Sequence, residues 1–332
     1  MLILGIESSC DETGASVVEN GTQILSNIIS SSAAMHEKYG GIIPEIAARA
    51  QAEVIIPTIN EALSQANISP QDLDGIAVVY APGLLGSLLV GVETAKSLAL
   101  TWNKPIMKVN HLIGHIYANW LTDEEKPEFP AIGVIVSGSH SDLLYIEGHG
   151  KIKWLGGTRD DAAGESFDKV ARLIGLPYPG GPAIDKLAPS GDKDAIKFSR
   201  PMINSGDYDF SFSGIKTEAA RYREKINTDD KDKQADFAAS FQEAIVDVIV
   251  TKAVKAAQEY KVKSILAGGG VAANTRLKKE LQTRGTDAGF KVFVPPPSLS
   301  TDNGAVMASY AYFNWNAQDP LTIEADPTPD FE

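Results

Sequence analysis

Short apolar runs alternate along the chain with longer segments whose apolar positions recur every three or four residues, a pattern that predicts an α/β architecture. Residues 2–6 and 15–18 read as a strand pair joined by a polar turn over 7–14, followed by a helix over 46–63 and a buried strand over 75–80. A helix over 84–101, entered through Pro82-Gly83, leads to a strand over 106–109. A second strand pair, 132–136 and 143–147, is joined by Ser137-Gly138-Ser139-His140-Ser141-Asp142 and repeats the N-terminal order of strand, small polar turn and strand. Such a repeat fits a duplicated fold that grips a phosphate between two turns; two unrelated hairpins are the alternative. Downstream, 167–174, 182–187 and 235–260 read as helices, and 264–267 as a strand running into Gly268-Gly269-Gly270. A helix over 274–283, a last strand over 290–294 and a closing helix over 304–315 follow.

Length and composition narrow the class. At 332 residues the natural expectation is two domains. No run of 18 apolar residues is present, so no membrane span is expected, and no basic segment with an apolar run precedes residues 2–6, so no signal peptide is expected. Cys10 is the only cysteine, which excludes an intrachain disulfide and a cysteine-based zinc site, and makes a reducing cytoplasm the expected location. The net charge of −13 argues against nucleic-acid binding by the overall field. The best local exception, residues 193–225, has seven Lys/Arg against five Asp/Glu, so work on RNA would call for other subunits to help hold it.

Four groups of residues can carry chemistry. In Asn110-His111-Leu112-Ile113-Gly114-His115, Asn110 suits a helix N-cap, and two histidines four apart share one helix face where both imidazoles can meet a metal. The helix N-terminus favours the neutral imidazole a metal needs, and Gly114 is expected to leave room for a substrate. Asp302, in Ser300-Thr301-Asp302-Asn303-Gly304, is either an N-cap of the closing helix or a third ligand, completing a His-His-Asp set suited to zinc or ferrous iron. The turn Glu7-Ser8-Ser9-Cys10-Asp11-Glu12-Thr13, with three acids and three hydroxyls, can orient a metal, a water or a nucleotide, or be a solvated hairpin turn. Three glycine turns, Ala81-Pro82-Gly83, Pro179-Gly180-Gly181-Pro182 and Gly268-Gly269-Gly270, match neither a P-loop nor a dinucleotide fingerprint but tilt the reading toward a nucleotide site. In Asp160-Asp161-Ala162-Ala163-Gly164-Glu165-Ser166-Phe167-Asp168-Lys169, the acids either serve a helix N-terminus or, at Asp168, reach a ribose hydroxyl.

These motifs together resemble one family. Gly5-Ile6-Glu7-Ser8-Ser9-Cys10-Asp11-Glu12-Thr13, the stretch from His36 through Tyr39-Gly40-Gly41 to Pro44-Glu45, Pro82-Gly83-Leu84, His111 with His115, and Ser137-Gly138 carry the first half of the likeness. Asp161-Ala162-Ala163-Gly164-Glu165, Phe167-Asp168-Lys169, Tyr178-Pro179-Gly180-Gly181-Pro182, Asp209-Phe210-Ser211-Phe212-Ser213-Gly214, Gly269-Gly270-Val271-Ala272-Ala273-Asn274 and Thr301-Asp302-Asn303-Gly304 carry the rest. The chain resembles the tRNA threonylcarbamoyladenosine transferase family (TsaD, also the Gcp or kinase-associated endopeptidase family).

The resemblance implies an actin-like ATPase fold of two ribonuclease-H-like lobes around a nucleotide cleft. Expected boundaries are 1–112 with 302–318 for the first lobe, 113–301 for the second with a helical insertion near 190–235, and a mobile tail over 319–332. It also implies transfer of threonylcarbamoyl from its adenylate, threonylcarbamoyl-AMP, to the N6 amine of the adenosine beside the tRNA anticodon. By motif, His111, His115 and Asp302 are its metal ligands, for Fe2+ or Zn2+, and Ile135, Val136, Ser137, Gly138, Ser139, Asp168, Gly181, Asp185 and Asn274 line the adenylate site. Glu12 or Asp11 is the expected acceptor for the amine proton. Implied partners are tRNA, TsaB-like and TsaE-like subunits, and an upstream threonylcarbamoyl-AMP synthase.

The chain departs from the family pattern in three places. Ser139 stands where a second glycine is usual, Gln51 where a histidine is frequent, and the C-terminus lacks the usual basic, Trp-containing ending. Rival readings are a metalloendopeptidase, an actin-like sugar kinase and a non-catalytic scaffold subunit. No His-Glu-x-x-His supplies a base for the first, Mg-dependent phosphoryl transfer does not need the histidines, and both histidines with Asp302 argue against the scaffold.

Overall fold

The computed structural model describes residues 1–36, 39, 41–122, 125–226 and 230–328; Gly40 of the family-like stretch and residues 329–332 of the expected tail lie outside them. The chain divides into two compact units, Met1–Lys126 with Ser298–Glu332, and Pro127–Pro297.

The first unit opens with β1 (Leu2–Glu7), β2 (Glu12–Glu19) and β3 (Gln23–Ser31), an antiparallel meander. The strand pair expected from 2–6 and 15–18 is present, with a shorter turn than expected and a third strand that periodicity did not reveal. β3 is a half-exposed edge strand with Ser and Asn at several positions, so its alternation is weak. Its signal was the turn: Asn20 and Gly21 both adopt positive φ (50° and 69°), the Asn-Gly hairpin conformation. Short α1 (Ala33–His36) and long α2 (Pro44–Ala66) lead to β4 (Gly75–Ala81), α3 (Leu85–Trp102), β5 (Ile106–Asn110) and α4 (His111–Tyr117). β4 and β5 add in parallel beside β1, giving the sheet order β3-β2-β1-β4-β5.

The second unit repeats this plan. β6 (Ala131–Val136), β7 (Ser141–Gly148) and β8 (Lys151–Gly157) form the antiparallel meander. After α5 (Ala163–Leu173), α6 (Gly180–Leu187), α7 (Ser213–Arg223) and the 29-residue α8 (Lys231–Glu259), the strand β9 (Ser264–Gly268) pairs in parallel with β6. Helix α9 (Thr275–Asp287) and strand β10 (Lys291–Phe293) complete the unit, in the order β10-β9-β6-β7-β8. Each sheet therefore places its strands third, second, first, fourth and fifth in chain order, and the repeated hairpins are two copies of one topology. The expected insertion near 190–235 contains α7, which sequence periodicity did not pick out, and the first turn of α8.

The chain returns to the first unit through α10 (Pro297–Ser300) and α11 (Gly304–Phe313). Helix α11 is apolar almost all round and buried through Gly304–Ser309, because it packs over the sheet rather than along its rim.

The compact units divide the chain at points other than the two expected boundaries. The first unit runs to Lys126, not to residue 112, because the helix after His111 packs on α11: Tyr117 stacks on Trp120 (centroids 4.9 Å apart) and meets Tyr310 edge-on at 5.0 Å. It resumes at Ser298 rather than 302. The expected mobile tail is packed as far as it is described: Pro320–Thr322 form a 3-10 turn capped by Asp319, Ile323 is 1% exposed, and Asp326 N donates to Tyr80 O at 2.8 Å. Its acids and prolines lowered the apparent order, but one buried isoleucine and one strand-like bond hold it down.

Candidate active site

In the first unit the site grows from two element ends. Strand β5 stops at Asn110, whose side chain accepts from Leu112 N (3.0 Å) and Ile113 N (3.2 Å) and starts α4 as an N-cap. His111 and His115 then lie one turn apart on the same face, both buried. Gly114 leaves room for protein, not substrate: a Cβ there would meet Met307 Cε of α11 at 2.6 Å.

Asp302 comes from the other end of the chain. The N-cap of α11 is the neighbouring Asn303, which accepts from Val306 N at 3.2 Å, so the Asp302 carboxylate is free of that duty. His111 Nε2 and His115 Nε2 are 3.2 Å apart, and Asp302 Oδ1 lies 3.6 Å from the first and 3.3 Å from the second. Donors about 2.0–2.1 Å from a tetrahedral metal are about 3.3 Å from one another, so this triangle has the spacing of three ligands on one ion. Two imidazole nitrogens and one carboxylate oxygen thus converge in a buried place, an arrangement able to hold one metal ion. The donor set fits a divalent metal with one or more open positions.

A second layer steadies the first. His111 Nδ1 lies 3.1 Å from Glu7 Oε2 and 3.2 Å from Ser9 Oγ, while Ser9 N donates to Glu7 Oε1 at 2.6 Å. Glu7 is 0% exposed at the end of β1, and its place fixes the imidazole so that Nε2 faces His115 and Asp302. Sequence reasoning placed Glu7 in an acidic turn but missed this carboxylate–histidine pairing, since the two residues stand 104 positions apart.

Charge in this cluster is strongly perturbed. Burial works against a proton on His111, but the carboxylates of Glu7 and Asp302 outweigh it and raise its pKa to about 9. Burial likewise opposes ionisation of Asp302, yet the adjoining His111 and His115 hold it down to about 2. Glu12 is pushed up to about 9 by burial and by the charges of Asp302 and Asp11, with which its carboxyl shares a hydrogen bond. Burial and the same acids raise the Cys10 thiol, which holds its proton more firmly than an ordinary cysteine.

In the second unit, β6 ends in the turn that the sequence marked out. Ile135 and Val136 are 0% exposed core residues, so what they contribute is the strand end, not their side chains. Ser137 N donates to His140 O at 2.9 Å, His140 N to Ser137 Oγ at 3.1 Å, and the first turn of α5 donates back through Gly164 N and Glu165 N to Ser137 O and Gly138 O. Ser139 lies exposed at the tip. Asp168 accepts from Gly180 N at 2.7 Å and ties α5 to α6; burial raises its pKa, and the Gly180 and Gly181 amides oppose the rise. Asp185 accepts from Thr275 N and Thr275 Oγ1 (2.8 Å), and Asn274 caps α9 through Leu277 N while donating to Gln242 Oε1 at 2.8 Å. The polar residues expected to line an adenylate site thus hold together the ends of α5, α6 and α9.

The glycines separate into two kinds. A Cβ at Gly164, Gly180 or Gly269 would strike backbone at 2.5–2.6 Å, so packing requires those three, and Gly83 likewise faces Ser9 O at 2.5 Å. Nothing lies within 4 Å of a Cβ at Gly138 or Gly270, and only Phe167 Cβ, at 3.9 Å, near one at Gly181. Protein packing does not require these open glycines, whose backbone is left uncovered by neighbouring atoms. Asp160 and Asp161 are spoken for: Asp160 accepts from Phe212 N (2.8 Å) and Ser213 N (3.1 Å) at the start of α7, and Asp161 pairs with Lys169 and Lys216.

Comparison with known proteins agrees with this geometry. The family described as "TsaD: tRNA N6-adenosine threonylcarbamoyltransferase" matches residues 23–309. A tRNA N6-adenosine threonylcarbamoyltransferase of Symbiobacterium thermophilum is 50% identical over 316 residues, covering 95% of this chain and 92% of that protein. One from Moorella thermoacetica is 49% identical over 328 residues, covering 98% of this chain and 96% of the other. Among solved structures, full-length HypF in its phosphate- and nucleotide-bound form superposes with a TM-score of 0.63 at 15% identity, over 94% of this chain and 55% of that one. Component A of the Acidaminococcus fermentans (R)-2-hydroxyglutaryl-CoA dehydratase superposes with a TM-score of 0.57 at 14% identity, over 94% and 98%. The likeness is to the actin-like ATPase fold, as the duplicated sheets require.

Proposed function

The chain belongs to the tRNA N6-adenosine threonylcarbamoyltransferase family, and we propose that it performs a metal-assisted acyl transfer with the residues described above. The reaction moves threonylcarbamoyl from threonylcarbamoyl-AMP to the N6 amine of the adenosine beside the tRNA anticodon. The amine nitrogen bonds to the carbamoyl carbon, the bond from that carbon to the phosphate oxygen breaks, AMP departs, and one amine proton must be taken up. The observation that carries this reading is the His111–His115–Asp302 triangle with Glu7 behind it, in a chain of this family.

His111, His115 and Asp302 would hold one Fe2+ or Zn2+ ion, which when bound supplies Lewis-acid polarisation of a carbonyl or phosphate oxygen. Glu7 keeps His111 in the tautomer whose Nε2 is free to ligate. Accepting the amine proton falls to the hydrogen-bonded Asp11–Glu12 pair. On the second unit, the Ser137–Ser139 turn and the open glycines 138, 181 and 270 form the bed for the adenylate, framed by Asp168, Asp185 and Asn274.

We assign tRNA as the acceptor and further subunits, of the TsaB-like and TsaE-like kind, as helpers that hold it, since a net charge of −13 gives little long-range attraction for phosphate. Among the described residues no helix is long and apolar enough to cross a membrane, and work on tRNA suits the cytoplasm. The test is reconstitution with the adenylate-making synthase, partner subunits, threonine, bicarbonate, ATP and unmodified tRNA. Modified adenosine that disappears with Asp302→Ala is the expected outcome; none from the intact chain would overturn the proposal.

A further inference from the structure

The arc from Ser8 to Glu12 is held by its carbonyls rather than by regular pairing. Leu84 N donates to Ser9 O at 2.8 Å, and Ser32 donates to Asp11 O through both N and Oγ at 2.9 Å. The alternate carbonyls, of Ser8, Cys10 and Glu12, converge on one atom: Gln51 Nε2 lies 3.5, 3.0 and 3.0 Å from them. Ser87 Oγ gives Cys10 O a second donor at 3.0 Å. Gln51 projects from α2 and is 1% exposed, and its Oε1 finds no hydrogen-bond partner among the described residues. A buried amide that leaves its oxygen unsatisfied bears a cost, so its use lies in the nitrogen. Reversing the amide would set its oxygen against three carbonyls.

One side chain on this arc touches the ligand cluster. Ser9 Oγ lies 3.2 Å from His111 Nδ1, and Asp11 and Glu12 follow on the same arc. We propose that Gln51 is a positioning residue for the transfer reaction: by donating its amide protons to alternate carbonyls it sets the arc that holds Ser9 against His111 and carries Asp11 and Glu12. The role rests on the reading that Asp11 and Glu12 serve the reaction. Gln51 itself touches neither a proposed metal ligand nor substrate.

The experiment compares Gln51→Leu and Gln51→His with the intact chain in the reconstituted transfer reaction, reading kcat, KM for tRNA and metal content per chain. Gln51→Leu loses the shared N–H, and kcat is expected to fall about a hundredfold, the scale of a small misplacement of reacting groups. KM for tRNA stays within about twofold and metal remains bound, because uniform binding and the three ligands are untouched. Gln51→His, which can return an N–H to the same carbonyls, recovers most of the rate. A folded Gln51→Leu chain with undiminished kcat overturns the proposal, as does a Gln51→His chain no faster than Gln51→Leu. Should the leucine variant not fold, Ser87→Ala decides, since it removes one donor from Cys10 O: a several-fold loss of kcat supports the clamp and an unchanged kcat overturns it. If the intact chain makes no modified adenosine, the functional reading fails and this role falls with it.

Discussion

The backbones of Gly5 and Gly304 touch: a Cβ on Gly304 would lie 2.4 Å from Gly5 O, and one on Gly5 would lie 1.9 Å from Gly304 O. Strand β1 and helix α11, some 300 residues apart in the chain, approach so closely only because neither has a side chain there. Glu7 ends the strand and Asp302 precedes the helix, so this contact brings Glu7 and Asp302, the proposed third ligand, to the same place. Gly304→Ala is expected to cost about 1–3 kcal/mol or more through overpacking. It also separates Asp302 from the histidines. A lower Tm together with weakened metal binding in a titration is the expected pair of results; unchanged values for both would break the link between the contact and the site.

Glu7 offers a gentler test of the metal cluster. Glu7→Gln keeps the shape but removes the charge paired with His111 Nδ1, and metal affinity should fall about 10–100-fold. His115→Ala, which removes a ligand outright, should abolish stoichiometric metal and transfer together. Competition with a chelator of known affinity measures the first, and elemental analysis the second.

The pH dependence of the metal-free chain is set in part by Glu12. Its folded pKa of about 9 lies above the ordinary value of 4.5, so between these limits the folded state binds more protons than the unfolded state. Stability from this group is therefore complete at low pH and is lost as pH rises through that window toward 9. In chelator-treated protein, Tm should drop less steeply from neutral to mildly alkaline pH in Glu12→Gln than in the parent chain. Parallel slopes in the two proteins would show that the buried carboxyl is not the source.

Open and packed glycines should respond oppositely to alanine. Gly138→Ala and Gly181→Ala add a methyl where protein leaves space, so stability should change by less than about 1 kcal/mol while adenylate binding weakens. Gly164→Ala drives a Cβ to within 2.5 Å of Ser137 O and should destabilise the second unit. Thermal melts with and without a non-hydrolysable threonylcarbamoyl-AMP analogue separate the cases. Full ligand-induced stabilisation in Gly138→Ala would remove that turn from the adenylate site.

Much of this molecule could be read before folding was considered. The buried strands announced themselves as short apolar runs, and the Asn110 cap with histidines four residues apart located α4 and put both imidazoles on one buried face. Edge elements were harder. β3 and β8 are half-exposed and polar, so only turn chemistry, Asn20-Gly21 in the first case and Gly150 at φ 70° in the second, marked them. Helix α7 was not recognised because its start is fixed from outside, by Asp160 binding the amides of Phe212 and Ser213.

The sequence by itself determined which residue types stand at each element end: two imidazoles on one helical face, a carboxylate before a helix, glycines at three turns. Local rules govern those features, because spacing along a helix or strand is a property of neighbours. It could not say whether Asp302 caps a helix or faces His115, nor that Asn303 relieves it of the cap. Nor could it tell that Gly114 admits Met307 rather than a substrate, or that Gln51 gathers three carbonyls from a distant turn. Those outcomes depend on contacts between residues far apart in the chain, where packing of α11 against β1 and α4, and of α2 against β2 and β3, and not any local preference, decides which polar atom meets which.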